Sequence, residues 1–215
     1  MNYWDRRIDR ARELEERYPH AAEMLRFYRE IAAFQAGCRP VLPALLDLVR
    51  SKGTPMLKDA ALHLTEQHPL YGFFERVLDQ PRFEEQARHN QVDTRHVQPD
   101  CPFCLQKPLV AVLRPEGDGG HRTLLCGRCF TEWEFRRLLC PNCGEEDRDK
   151  LPVYIAPEFP HIRVEACDTC RYYIKAVDLT REGNAVPEVD EIAALPLDLW
   201  AIEQGYQKLA LNLFD

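Results

Sequence analysis

The chain has 215 residues, 45% hydrophobic and 29% charged, with a formal net charge of -7. That composition fits one medium or two small globular domains. The acid excess argues against a protein that grips a phosphate backbone, and no apolar run approaches the roughly 18–20 residues that a membrane helix needs.

Residues 1–88 are expected to form a helical domain. Tyr3, Trp4, Ile8, Ala11 and Leu14 recur at near-helical spacing, and Pro19 then interrupts the pattern. The set Ala22, Leu25, Tyr28, Ile31, Ala32 and Phe34 predicts a second helix from Ala21 to Ala36, with Gly37 as its cap. Cys38 stands alone beside this helix and reads as a small buried hydrophobe. A third helix is expected from Val41 to Arg50, stopping near Gly53. Thr54-Pro55, a hydroxyl cap with proline at the first helical position, opens a fourth that should run to about Gln67. Tyr71–Leu78 and Arg82–Arg88 read as two shorter helical pieces, and the polar, aperiodic residues 89–100 as a linker.

After Cys101 the texture changes to short β-type runs. Strands are expected at 109–113, 122–125, 132–139, 153–155, 162–166 and 172–178, with a glycine-rich turn at 116–120. Residues 101–180 carry 11 Lys+Arg against 12 Asp+Glu and lack a basic stripe. Residues 181–215 carry 2 against 7 and read as an acidic tail ending in a helix. Pro196 opens that helix, which should pack back through Leu197, Trp200 and Ile202. The start, Met1-Asn2-Tyr3-Trp4-Asp5, lacks the basic and then apolar pattern of a signal peptide, so a cytoplasmic protein is expected. The fold class is thus α+β: an N-terminal helical bundle, a tandem double metal ribbon over 101–180, and a C-terminal helix.

Eight of the nine cysteines fall into four Cys-x-x-Cys pairs: Cys101/Cys104, Cys126/Cys129, Cys140/Cys143 and Cys167/Cys170. In a reducing compartment this reads as metal ligation. One such knuckle supplies half a tetrahedron, and a second, delivered by a hairpin of about 15–25 residues, closes it. The gaps between successive pairs are 21, 10 and 23 residues, which favours the first pair with the second and the third with the fourth. Crossed pairing, outer with outer and inner with inner, is the alternative. Proline follows Cys101 and Cys140, and Gly144 follows Cys143 where a positive φ is often needed.

Closed four-sulfur sites mostly hold folds together, worth on the order of 10–16 kcal/mol in small peptides, and by residues alone zinc is favoured over iron. Arg128, Arg136, Arg137 and Arg171 are close enough in sequence to soften the thiolate charge, or are solvated strand residues. His121 and His161 sit inside the two hairpins and read as exposed rather than as donors to sulfur. Glu145-Glu146-Asp147 reads as a solvated turn, and Trp133 as packing beside the first site. No Ser-His-Asp grouping, phosphate loop or paired-carboxylate signature stands out.

The run Cys101-Pro-Phe-Cys104, then Leu125-Cys126-Gly-Arg-Cys129-Phe-Thr131-Glu132-Trp133, then Cys140-Pro-Asn-Cys143, resembles the formate dehydrogenase accessory protein (FdhE) family. So do Arg163-Val-Glu165-Ala-Cys167-Asp-Thr-Cys170-Arg-Tyr-Tyr173-Ile-Lys175 and the tail from Leu195-Pro-Leu197-Asp198 to Phe214. The resemblance covers roughly residues 100–215. It implies a cytoplasmic, non-enzymatic maturation factor for respiratory molybdenum- or tungsten-dependent formate dehydrogenases. Such a factor binds the catalytic subunit before export and carries rubredoxin-like iron. It moves the expected metal to iron, with zinc as the alternative, held by the eight paired cysteines, and transfers no catalytic acid or base. A one-electron carrier and a structural zinc-ribbon interaction protein are the competing readings. Nucleic acid is not an expected partner, nor is membrane insertion expected.

Overall fold

The computed structural model describes residues 3–37, 41–90, 92–95, 97–117 and 119–214; Cys38 and part of the glycine-rich turn lie outside the described residues. The helical part comprises α1 (Tyr3–Arg17), α2 (Ala22–Gly37), α3 (Leu42–Lys52), α4 (Pro55–Leu62) and α5 (Tyr71–His89). The strands are β1 (Pro108–Glu116), β2 (Gly119–Cys126), β3 (Glu132–Glu134), β4 (Val153–Ile155), β5 (Ile162–Ala166) and β6 (Tyr172–Asp178). Helices α6 (Pro187–Ala193) and α7 (Leu195–Glu203) and the short β7 (Gln207–Lys208) follow.

The two ribbons, tandem in sequence, fuse in space. The strands form one sheet in the order β3-β2-β1-β6-β5-β4, with β7 beside the start of β6. Each ribbon is an antiparallel set of three, and the two meet along a parallel seam in which Val110 to Leu113 face Lys175 to Asp178. Being central, β1 and β6 are covered on both faces, which is why Leu109–Leu113 and Tyr173–Val177 are continuous buried runs rather than alternating ones. One face, with Val110, Val112, Val164 and Val177, packs on the helices; the other, with Ala111, Leu124, Ile174 and Ala176, packs on Trp133, Phe135 and the first cysteine knuckles.

Several expectations are corrected. Helix α4 stops at Leu62, five residues short of Gln67, because side chains satisfy its last carbonyls: Arg50 donates to the Ala61 carbonyl (3.0 Å) and His63 Nδ1 lies 3.2 Å from that of Asp59. The two pieces around Pro81 are one helix, α5. Proline removes the N–H that would bond the Val77 carbonyl, and Gln35 of α2 donates to that carbonyl instead (2.8 Å). Strand β3 ends at Glu134 rather than 139, since the next residues climb away toward the second cysteine group. Residues 181–215 fold back on the body: α6 is buried along its whole length and anchors α1.

That anchor is ionic. Arg10 of α1 donates to Asp190 through Nε and Nη2 (3.0 and 2.6 Å), and Arg7 Nε donates to Glu188 (2.7 Å), all four groups buried. A second buried network ties β6, α6, α7 and β7: Lys175 and Lys208 lie between Glu191 and Asp198 at 2.5–3.3 Å. In α7, Leu197 is buried and Trp200 packs edge-on against Tyr154 at 4.7 Å, but Ile202 is exposed, contrary to expectation. No helix among the described residues is long and apolar enough to cross a membrane.

Candidate metal centre

Each of the four Cys-x-x-Cys pairs folds into the same knuckle. The N–H of the first cysteine donates to the carbonyl five residues on, for Cys101 to Gln106, Cys126 to Thr131, Cys140 to Glu145 and Cys167 to Tyr172, at 2.9–3.0 Å. In return the residue after the second cysteine donates to the first cysteine's carbonyl, at 2.8–3.2 Å. That residue takes a positive φ in every knuckle: Leu105 (59°), Phe130 (55°), Gly144 (77°) and Arg171 (63°). Only one of the four is glycine, so three knuckles hold a side chain in the left-handed region at a cost of about 1–2 kcal/mol each. Backbone N–H groups of Arg128 and Asn142 point at the Cys126 and Cys140 sulfurs (3.4 Å), which offsets thiolate charge.

The hairpins bring these knuckles together in two groups, Cys101, Cys104, Cys126 and Cys129, and Cys140, Cys143, Cys167 and Cys170, with all sulfurs of a group within 4.8 Å of one another. This is consecutive pairing, not the crossed alternative. All eight are free thiols. In the first group Cys101–Cys129, Cys104–Cys126 and Cys104–Cys129 are separated by 3.5, 3.4 and 3.6 Å; in the second, Cys140–Cys170 and Cys143–Cys167 are both 3.7 Å apart. A tetrahedral ion with metal–sulfur bonds of about 2.3 Å spaces its ligands about 3.8 Å apart. The donor sets therefore fit a four-sulfur divalent or trivalent ion of the zinc or iron kind. Without a cation the first group cannot ionise together: hydrogen bonds from Cys104, Cys126 and Cys129 hold the Cys101 thiol far down, while the same contacts, seen from Cys126 and Cys129, push those thiols far up.

The groups differ in surroundings. In the first, Cys101, Cys126 and Cys129 are buried, backed by Trp133, whose indole N–H donates to the Gln98 carbonyl (2.8 Å). Helix α5 grips this group from outside: Gln80 donates to the Gly127 carbonyl (2.9 Å), Arg128 pairs with Asp79 (2.9 Å), and the Arg128 guanidinium lies over Phe83 (3.8 Å). The Phe130 ring stacks on the buried Arg7 guanidinium (3.7 Å), joining the knuckle to α1. In the second group Cys143 is exposed and Cys170 half-buried.

Several other residues depart from expectation. His161 is buried, not exposed, with Nε2 at 2.8 Å from Asp190; it pins β5 to α6 and touches no sulfur. His121 is half-buried, 3.5 Å from the Glu116 carboxylate. Arg128, Arg136 and Arg171 spend their guanidiniums on Asp79, Glu146 and Asp168 rather than on thiolates. Glu145 is more than a solvated turn. It accepts from the Thr169 hydroxyl (2.6 Å) and from the N–H groups of Asp147 and Glu146, which draw its pKa down to about 2 and tie one knuckle of the second group to the other. The Thr131 hydroxyl, 3.2 Å from the Cys129 sulfur, was signalled in sequence only by the Cys-x-Thr spacing.

Family models described as "FdhE, central domain" and "FdhE, C-terminal domain" match residues 100–137 and 139–214. A "Protein FdhE homolog" of Aquifex aeolicus (strain VF5) is 32% identical over 190 residues, covering 78% of this chain and 66% of the relative. One from Haemophilus influenzae (strain PittGG) is 30% identical over 132 residues, 60% of this chain and 43% of the relative. The chain thus spans just under two thirds of the first relative and less than half of the second. The crystal structure of the FdhE protein from Pseudomonas aeruginosa superposes with a TM-score of 0.79 at 21% identity, covering 98% of this chain and 94% of that one, which shows a shared fold.

Proposed function

Because the chain belongs to the FdhE family, we propose that it is an accessory factor for the maturation of a respiratory, molybdenum- or tungsten-dependent formate dehydrogenase, binding its catalytic subunit in the cytoplasm. The observation that carries this reading is the pair of four-cysteine cages built into one sheet, within the region the family models match. Metal held there would fix the knuckles at the ends of the hairpins, so that the ribbons present a rigid surface to a large partner. The reading assigns no catalytic residue. Co-purification of the metal-loaded chain with the catalytic subunit is the expected result; no association at micromolar concentrations, with both cages filled, counts against it.

The eight cysteines would hold iron, in a rubredoxin-like set, with zinc as the alternative. Anaerobic purification should give two metal ions per chain, and iron would show as visible absorption that bleaches with dithionite. A second reading, one-electron exchange with the partner, is favoured by the exposed Cys143 sulfur, which brings the second cage to the surface. Iron there supplies one-electron chemistry; colourless protein with two zinc ions per chain removes that reading and leaves the scaffold.

A further inference from the structure

We infer that the free edge of β4, with the apolar slot beside it, is a docking site for an extended, carboxylate-bearing segment of the protein partner; the inference rests on the accessory-factor reading and names the surface it uses. The sheet has two outer strands. At one end β3 is a charged Glu-Trp-Glu, and the Glu134 N–H is already taken by the Thr94 carbonyl (2.8 Å). At the other end β4 pairs only with β5 among the described residues. The Ala166 N–H bonds the Pro152 carbonyl (3.0 Å), which fixes the phase of the antiparallel ladder. Tyr154 is then the residue that bonds inward, and the backbone N–H and C=O groups of Val153 and Ile155 point outward, ready for another strand.

The side chains agree with the backbone. Tyr154 is held on the helix side by Trp200 and Tyr206, while Val153 and Ile155 stand on the opposite face, 51% and 72% exposed, with no charge between them. Val153 borders a slot of about 180 Å³ walled by Leu138, Leu139, Leu151, Ile174 and Leu209, enough for one large apolar side chain. Cys140 and Cys167 of the second cage form part of its wall. The charge at the slot is positive: Arg122 and Arg163 share the single carboxylate of Glu165, and the exposed Arg137 joins no ion pair among the described residues. A strand that pairs with β4, inserts an apolar side chain and presents a carboxylate meets all three features. A second copy of this chain would bring its own Arg137 and Arg163 to the same place, so like charges oppose self-pairing.

The test is titration of the metal-loaded chain with purified catalytic subunit of a formate dehydrogenase. Two variants are compared. Ile155→Pro deletes an outward N–H without touching the β4–β5 bonds, and Arg137→Glu reverses an exposed charge that joins no ion pair among the described residues, though its guanidinium lies beside Gly120; metal content and thermal midpoint verify that each is folded. Each variant should bind roughly tenfold more weakly, or worse, the loss expected for one hydrogen bond or ion contact. Binding by both variants equal to that of the unaltered chain overturns the docking edge and leaves the accessory-factor reading standing. No binding by the unaltered chain overturns that reading and this inference with it. A chain that sediments as a dimer, and as a monomer after Ile155→Pro, shows that the edge serves a second copy and overturns the assignment of the partner.

Discussion

The unequal burial of the two cages makes chelation kinetics the most direct probe of the structure. Three of the first group's four cysteines are buried and Cys104 is half-buried, so a chelator takes hold of more than one of those sulfurs only when the packing around them loosens; Trp133 and Phe135, 1% and 4% exposed, are the largest side chains in that packing. Exposing two such side chains costs about 1.5–3 kcal/mol each, or about 3–6 kcal/mol together. Since about 1.4 kcal/mol is a factor of ten, the open form is populated roughly 10²–10⁴-fold less than at the second group, where Cys143 already meets solvent. Mixing loaded protein with excess chromogenic chelator should therefore release metal in two well-separated phases of equal amplitude. Cys143→Ser should abolish or accelerate the fast phase, and Cys104→Ser the slow one. A single phase, or a Cys143→Ser variant that leaves the fast phase unchanged, refutes the argument from burial.

Leu105→Gly should stabilise the protein by about 1 kcal/mol, because the exposed Leu105 side chain makes little contact and glycine adopts its φ of 59° without strain; urea midpoints read this directly. Gln35→Leu should cost about 1–3 kcal/mol by orphaning the Val77 carbonyl opposite Pro81, with loss of amide protection concentrated in α5. Asp190→Ala should cost about 3–5 kcal/mol, since Arg10, His161 and the Val186 N–H all lose one buried acceptor, and should release α1 to proteolysis before the sheet. Burial alone would raise the Asp190 and Glu191 carboxyls, but His161 and Arg10, and Lys175 and Lys208, hold them below their usual range, Glu191 at about 2. A depressed carboxyl stabilises the fold above its unfolded pKa, so this contribution is complete above about pH 4.5 and is lost as pH falls toward 2. Unfolding free energy, followed alongside metal content, should be flat in this term from pH 7 to 5 and decline below; an increase in stability on acidification contradicts it.

The cysteine groups and most strands were legible because their signals are local. Hairpin lengths of 21 and 23 residues favour the consecutive pairing of the knuckles, and the apolar run Leu109–Leu113 already marks a strand. The failures have one physical form, a polar side chain whose partner lies far away in sequence. Pro81 reads as a break until Gln35, 46 positions earlier, supplies the missing donor. The segment Pro187–Ala193 carries three acidic residues and gives no sign of burial until Arg7 and Arg10, some 180 positions away, neutralise Glu188 and Asp190. His161 reads as exposed for the same reason, its carboxylate lying on α6. Ile202 erred in the opposite direction: it has helical spacing, but α7 turns that side to solvent.

The parallel seam between β1 and β6 gives the two cages a common fate. Each seam strand belongs to a different cage, yet each completes its hydrogen bonding only on the other. A molecule that has acquired a single ion would keep one ordered half-sheet and bare its side of the seam as an unzipped border: Val110–Leu113, wholly apolar, or Lys175–Asp178, where Ala176 and Val177 lie between two charged residues. Such a border adheres to its like. Metal scarcity would thus remove this protein from solution as aggregates of half-loaded chains rather than leave a pool of partly working ones.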